Sequence, residues 1–445
     1  MSLRTATTRT RARALFAAAT GGVVLAAGAL TSAASATAAP AAAPAATAAN
    51  FAMAPAPLPP IPLGKSGLPE RKVPRTISPG VDITTVFRGD KPARAAAIGS
   101  TQYGPWAVRL VVIDPKKTSA RLRTTVGADI ARTDRVTELA RQTRSIVSMN
   151  GSFFSLGRSP QAPGDPVGFA MLGGTVISKQ TGTVAEANVL IDSATNRLRF
   201  GKYTWSAYTQ NKNSGAKLSL DDVNTVTGVP AGCGEMADQT QCDARGQVVR
   251  FTPQFAARTP AGPGVEVVLN RSGCVARVQS QRGTALTATQ TSLQATGRRA
   301  GELARTATPG ACMLYVERVF DSAGKRVSYD RNTYAVSGRY RLLVDGEIAG
   351  GLTGRSISGR NPRSVIGTLP GGKIGMLNID GRSVNSVGAT LTETARVAKA
   401  LGFRDAVNLD GGGSTVLVAG TTLLNTYSGS SMRAVSDAIV LAPGR

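Results

Sequence analysis

The chain has 445 residues, 42% of them hydrophobic and only 5% aromatic, with 50 glycines and 24 prolines, a composition that excludes collagen-like and low-complexity proteins and describes a mainly globular one. Lys and Arg outnumber Asp and Glu by 52 to 27, a net charge of +25. Histidine is absent, which removes Ser-His-Asp and Cys-His machinery, imidazole bases and His-ligated zinc, so catalysis has to run on carboxylates, arginines, backbone donors or an oxygen-ligated metal.

Arg4, Arg9, Arg11 and Arg13 precede an apolar stretch from Ala14 to Leu30, and Ala34-Ser35-Ala36 follows as an A-x-A cleavage site. Residues 1–36 therefore read as a secretory signal peptide. The rival reading, a retained membrane anchor, is disfavoured because the stretch is shorter than the about 20 residues that span a bilayer and no strongly basic stop-transfer segment follows. No adjacent arginine pair marks a twin-arginine route. After removal of the leader no apolar run approaches spanning length, so no integral membrane anchor is expected and the mature chain belongs outside the cytoplasm, secreted, extracellular or associated with the cell wall. Subtracting four arginines from +25 leaves about +21, a field that attracts polyanions through Coulomb forces and counterion release. Wall teichoic polymers, phosphorylated glycans and nucleic acid all qualify. An ordinary basic surface is the plainer reading, and no specific nucleic-acid partner is expected.

Residues 37–77 read as an Ala/Pro-rich linker, and 78–445 as the folded domain. Gly64-Lys65-Ser66 imitates the end of a phosphate loop, but Pro59 stands where that motif needs its first glycine. Short runs rich in branched residues then recur as strands do: Ala107–Ile113, Arg121–Val126, Ser145–Ser148, Asn188–Ile191, Val265–Leu269, Met313–Val316, Arg341–Gly346, Lys373–Gly381, Ala406–Gly411 and Ser414–Val418. Two helices are expected. One has Val136, Leu139, Ala140 and Thr143 on a face; the other has Leu391, Ala395, Ala398 and Leu401, with Thr390-x-x-Glu393 as a capping box and Gly402 as its stop. The fold class is α+β, with mixed, strand-rich sheets and a few flanking helices. Residues 205–335 hold all four cysteines and form either a subdomain or an elaboration of the main sheet. An even cysteine number in an exported chain, without C-x-x-C spacing, favours disulfides; three pairings are open, and Cys233 with Cys242 and Cys274 with Cys312 is preferred.

Three strand-like runs end in Asp-Gly: Asp345-Gly346, Asp380-Gly381 and Asp410-Gly411. Taken singly each is a common turn. The third continues as Asn408-Leu409-Asp410-Gly411-Gly412-Gly413-Ser414-Thr415, where consecutive glycines make sense if the backbone must approach something closely or offer its N–H groups to an anion.

This segment resembles the N-L-D-G-G-G-S-T signature of the phosphodiester glycosidase family. Asn150-Gly151-Ser152-Phe153-Phe154 resembles the family's N-G-x-F-F segment and Pro362-Arg363-Ser364-Val365-Ile366-Gly367 its P-R-[ST]-x-x-G segment, while Ile379–Arg382, Ser386–Glu393, Asn425, Arg433 and Ser436-Asp437-Ala438 match in spacing. Ala389 departs from an expected methionine, and the segment from Asn425 to Arg433 is short. The resemblance implies hydrolysis of a sugar-1-phosphodiester at the anomeric C–O bond, with wall or capsular glycopolymers as the substrates that export and charge fit. It implies Asp410 as nucleophile, general base or metal ligand, Asp380 as its partner, and Glu393 as an acid unless it only caps its helix. Arg363, Arg382 and Arg433 would hold the phosphate, each with pairing to a carboxylate as the alternative. Gly411, Gly412, Gly413 and Ser414 would line the anion site. Asn150 would bind sugar hydroxyls or hold a turn, and Phe153 and Phe154 read as core before sugar platform. No cofactor is required, although a Ca or Mg ion held by Asp oxygens would suit a phosphate. The other readings are a non-catalytic binding protein for anionic wall glycans and a phosphodiesterase attacking phosphorus.

Overall fold

The run Ala107–Ile113 lies in the strand Trp106–Ile113, buried along nearly its whole length, and occupies the interior of an eight-stranded sheet. Its order is 70–78, 81–88, 106–113, 373–379, 363–369, 405–408, 341–344 and 347–348, with every neighbouring pair antiparallel. The computed structural model describes residues 58–444 apart from Gly157, Arg158, Ala237, Arg355 and Ser356; the expected signal peptide and the linker up to 57 lie outside the described residues. The described part belongs to one compact unit.

Among the described residues there are three α-helices, α1 (Val136–Thr143), α2 (Arg298–Thr306) and α3 (Leu391–Ala400), of eight to ten residues. The fold is therefore mostly β, and the α+β expectation holds only loosely. Helix α3 lays Leu391, Ala395 and Ala398 on one face of the large sheet, against Leu110, Val365 and Leu377. The opposite face, with Val111, Ile366, Met376 and Val407, packs on Met149, Leu417 and Ile439 of a five-stranded sheet and on Val189 and Val336 of another. Helix α1 covers the outside of the former through Val136, Leu139 and Ala140. Helix α2 escaped the sequence reading because its buried face is made of Ala300, Gly301, Leu303 and Thr306, mostly too small or polar to stand out as a hydrophobic stripe.

The expected start of the domain at 78 is too late. Ile61 and Leu63 are fully buried against Val86 and Trp106, the Leu63 carbonyl accepts from Arg88 Nε at 2.6 Å, and Glu70–Ser78 is the edge strand of the large sheet. Prolines mask this stretch as a spacer, yet the two aliphatic side chains among them supply enough apolar surface to dock it. Residues 205–335 build a three-stranded and a five-stranded sheet, whose core residues Trp205, Val267 and Leu293 are continuous with Phe169, Leu190 and Ala335. Both preferred disulfides, Cys233–Cys242 and Cys274–Cys312, are present. Asp345-Gly346 is the plain turn of the hairpin between Arg341–Val344 and Glu347–Ile348.

Candidate active site

Antiparallel pairing puts the start of one strand beside the ends of its neighbours. Arg363 opens Arg363–Leu369 opposite Ile379, the last residue of Lys373–Ile379, and Asn408 ends Asp405–Asn408 opposite Val365. The strand Val147–Asn150 of the adjoining sheet brings a fourth end. Around these termini lies a cleft of about 310 Å³, lined by Phe153, Ile357, Asn361, Arg363, Arg382, Asn408, Asp410, Gly411, Gly412, Gly413 and Arg433. That is small for a ligand site but within the usual range.

Asp410 is fixed through its own main chain. Its N–H donates to the Gly151 carbonyl at 3.1 Å, and its carbonyl accepts from Asn150 Nδ2 at 2.7 Å. Its carboxylate accepts from the Gly411 N–H at 3.0 Å and hydrogen-bonds the Ser414 hydroxyl. Burial pushes Asp410 up to about 6, against the opposing pull of Ser414, the Gly411 N–H, Arg433 and Arg339. The carboxylate is thus poised to be mostly ionised at neutral pH yet protonated under mild acid.

The glycines are there because guanidinium groups occupy the space a side chain would need. A Cβ on Gly412, whose φ is +58°, would sit 2.9 Å from Arg382 Nη2, and one on Gly413 would sit 2.6 Å from Arg433 Nη2. Arg382 itself adopts φ +59°, a strained conformation for a side chain of its size. It is held by Asn361 Oδ1, which accepts from its Nε at 3.0 Å and its Nη2 at 2.7 Å. Arg433 Nη1 reaches Ser414 Oγ at 3.5 Å.

Arg363 is 2% exposed. Its Nε donates to Ala389 O at 2.9 Å and its Nη2 to the Ile357 and Gly359 carbonyls at 2.7 and 2.6 Å. Burial lowers its pKa to about 10, with repulsion from Arg382 adding to the effect and Glu393 opposing it, so it remains charged at neutral pH. Among the described residues neither Arg363, Arg382 nor Arg433 forms an ion pair. Three cations converge on one cleft without carboxylate partners, the arrangement an oxyanion would complete.

Asp410, Arg363, Arg382, Arg433 and the three glycines come together as the motifs imply, and Ser414 stands immediately behind. Three expected site residues do not join them. Asp380 faces away, into a separate cavity of about 170 Å³, paired with Arg109 Nη1 at 2.9 Å and accepting from Thr426 N at 3.2 Å. Burial raises its pKa against the pull of Arg109. Residues two apart on a regular strand share a face, but this strand ends at Ile379 and the positive φ of Arg382 breaks the alternation, so the two side chains part. Glu393 caps α3 in a reciprocal capping box and pairs with Arg360 Nη2 at 2.8 Å. Although burial works in the other direction, Arg360 and Thr390 hold it below the usual carboxylate range, ionised and unsuited to act as an acid. Glu393→Gln is accordingly expected to cost about 1 kcal/mol of stability in denaturant titration and to leave turnover intact. Asn150 is fully buried and holds the turn rather than a sugar: besides clasping Asp410, its Oδ1 accepts from Ser364 Oγ at 2.7 Å and Val416 N at 3.1 Å.

Four lining or flanking residues went unassigned as ligands in the sequence reading. Asn408 opens the quoted glycine motif and Asn361 directly precedes the Pro362–Gly367 segment, which was the available signal. The buried Asn408 Oδ1 has no hydrogen-bond partner and offers an acceptor at the cleft wall. Phe153, expected as core, lines the cleft, with the Arg339 guanidinium 4.6 Å from its ring centre; nothing in the order of residues points to Arg339. Among the described residues no group of three or more acidic or cysteine side chains is placed to hold a metal ion. Asp410 is the one acidic side chain among the residues lining this cleft, which it shares with Arg363, Arg382 and Arg433.

Residues 263–442 match the model of the phosphodiester glycosidase family. The resemblance read from the motifs is thereby shown over that stretch, and the Asn150–Phe154 segment lies outside it. Among solved structures, a Burkholderia pseudomallei protein designated a candidate exported protein aligns at TM-score 0.72 and 20% identity, over 87% of this chain and 99% of that one. A hypothetical protein from Synechocystis aligns at TM-score 0.60 and 22% identity, over 81% of this chain and 62% of that one. Both share the fold. The catalytic domain of zebrafish N-acetylglucosamine-1-phosphodiester alpha-N-acetylglucosaminidase, auto-inhibited by its pro-peptide, aligns at TM-score 0.40 and 12% identity over 84% of this chain and 88% of that one, too low a score to bear on the fold. No curated protein matches the chain.

Proposed function

We propose that the protein is a secreted hydrolase that cleaves the anomeric C–O bond of sugar-1-phosphodiesters, acting on cell-wall or capsular glycopolymers. The observation that carries this reading is the buried, unpaired Arg363 guanidinium facing the same cleft as Arg382, Arg433 and the ionisable Asp410. The three arginines bind the phosphate and take up the charge it gains as the bond breaks. Phosphate leaves as a stable anion without a proton, so the cleft needs no second carboxyl group as acid. Asp410 acts on the sugar side, where positive charge develops at the anomeric carbon. It serves as nucleophile if the product retains its configuration and as base for water if the configuration inverts; NMR of the first-formed anomer separates the two. Asn408 Oδ1 would take a sugar hydroxyl. Two disulfides and a fold shared with a candidate exported protein support secretion, and no helix among the described residues is long and apolar enough to cross a membrane.

The test is incubation with UDP-N-acetylglucosamine and with a teichoic-type glycosyl phosphate in isotopically labelled water. Release of reducing sugar carrying the label is the expected result. Label in the phosphate, with phosphate left on the sugar, would instead show attack at phosphorus. No release, with binding equal in wild type and Asp410→Asn, would show a binding protein. A chelator is expected to leave the rate unchanged, since Asp410 is the one acidic side chain among the residues lining the cleft. The pH dependence follows from Asp410. It must be ionised to act, and its pKa is raised to about 6, so kcat/KM is expected to be level near neutrality and to fall tenfold per pH unit below about 6. A fall on the alkaline side of that value would mean that Asp410 works as an acid.

A further inference from the structure

The strands that reach the cleft run, at their other ends, to a second recessed surface. Arg363 to Thr368 and Arg339 back to Thr333 each span about 16–20 Å of extended chain at about 3.3 Å per residue, within the strands Arg363–Leu369 and Thr333–Arg339. Thr368 and Thr333 line a groove of about 800 Å³. A second recess of about 590 Å³ adjoins it, and Ala194, in the turn between the strands Glu186–Asp192 and Arg197–Gly201, lines both.

Four of the five arginines that line the two recesses give this surface its character. Arg197 and Arg199 line the larger groove, and Arg121 and Arg331 the smaller. None of the four is ion-paired among the described residues. Asp192 and Asp330 line the larger groove as well, leaving five arginines against two carboxylates over the two recesses, and both carboxylates accept from their own turns. Asp192 accepts from Ala194 N at 2.9 Å and Thr195 Oγ1 at 2.6 Å. Asp330 accepts from Asn332 N at 2.8 Å, Asn332 Nδ2 at 3.2 Å and Thr333 Oγ1 at 3.3 Å. Arg121 is anchored across the divide by its Nη1, which donates to Ala194 O at 2.6 Å. Tyr329, whose hydroxyl is engaged by Glu317, lines one recess and Tyr334 the other, rings whose apolar bodies suit sugar or polyol units.

We propose that these two recesses form an accessory groove that holds a strand of phosphate-bearing glycan polymer, separate from the cleft. Guanidinium forks match successive phosphates. The single tyrosine in each recess gives no run of stacking platforms, so the groove favours a polyol or sugar phosphate backbone over single-stranded nucleic acid. The inference goes beyond the proposed hydrolysis, because the groove holds polymer whether or not the cleft cuts it. If both operate, the groove raises the local concentration of polymer at the cleft, lowering KM for polymer and not for a small glycosyl phosphate.

The experiment measures binding of fluorescently tagged poly(glycerol phosphate) across a salt series, for wild type and for Arg197→Gln/Arg199→Gln/Arg331→Gln. All three side chains are exposed, so the variant is expected to fold with an unchanged thermal midpoint. Its binding is expected to weaken by about tenfold or more at low salt, and the slope of log Kd against log salt to become shallower by about two, at about 0.7 for each phosphate no longer neutralised. Hydrolysis of a small glycosyl phosphate is expected to be the same in both proteins. Equal affinity and slope in the two proteins would overturn the proposal. So would tighter wild-type binding of single-stranded DNA than of the polymer, abolished by the same three changes. Neither result bears on the chemistry of the cleft.

Discussion

Asp410→Asn is expected to lower sugar release by about a thousandfold or more, with the thermal midpoint close to wild type and with tighter binding of a glycosyl phosphate. The fall in rate follows from removing the carboxylate that lines the cleft beside three guanidinium groups. The preserved fold follows from geometry: the Asp410 main chain is held by Asn150 and Gly151, and an amide oxygen can still accept from the Gly411 N–H. Tighter binding follows from charge, since an ionised Asp410 repels the phosphate that the arginines attract. Single-turnover kinetics and calorimetry read the two effects separately. A variant that keeps its rate would remove Asp410 from the chemistry, whereas one that loses both rate and fold would make it a structural residue.

Arg363→Ala is expected to be costly twice over. The guanidinium satisfies the Ala389, Ile357 and Gly359 carbonyls, and its removal leaves buried acceptors unpaired beside a new cavity, a destabilisation of about 2–5 kcal/mol. It also withdraws one of the three proposed phosphate donors, expected to lower kcat/KM by about 10²–10³-fold. Arg382→Ala separates the two effects. Arg382 is exposed and its backbone already sits in a disfavoured conformation, so that variant is expected to lose a similar amount of kcat/KM with little change in the urea midpoint. Full activity in both folded variants would show that neither guanidinium meets the substrate.

The contrast between Asp380 and Arg382 shows where reading a motif stops. The two are one residue from adjacent, and the segment Ile379–Arg382 carries both, yet Arg382 joins the cleft while Asp380 is spent on Arg109. Glu393 shows the opposite: its spacing from Thr390 already spelled out a capping box, and that local chemistry decided its role. Asn150 lay between, since a buried amide can hold a turn or a ligand, and only its surroundings assign its donors and acceptors.

The linear order of residues determined what depends on near neighbours and on composition. The chemistry open to a chain without histidine, the strand and helix periods of the longer runs, the helix cap and the glycine turn that must pack closely against something all follow from interactions within a few positions. Tertiary structure decided what depends on pairing across long loops. It showed that Arg382 and Arg433 are what the glycines make room for, that Asp380 points away, that Arg339 stands over Phe153, and that the segment from 58 to 77 is part of the fold. Those outcomes rest on sheet register and on which strand ends share a margin, which are set by the packing of the whole chain and left no signature at the individual positions.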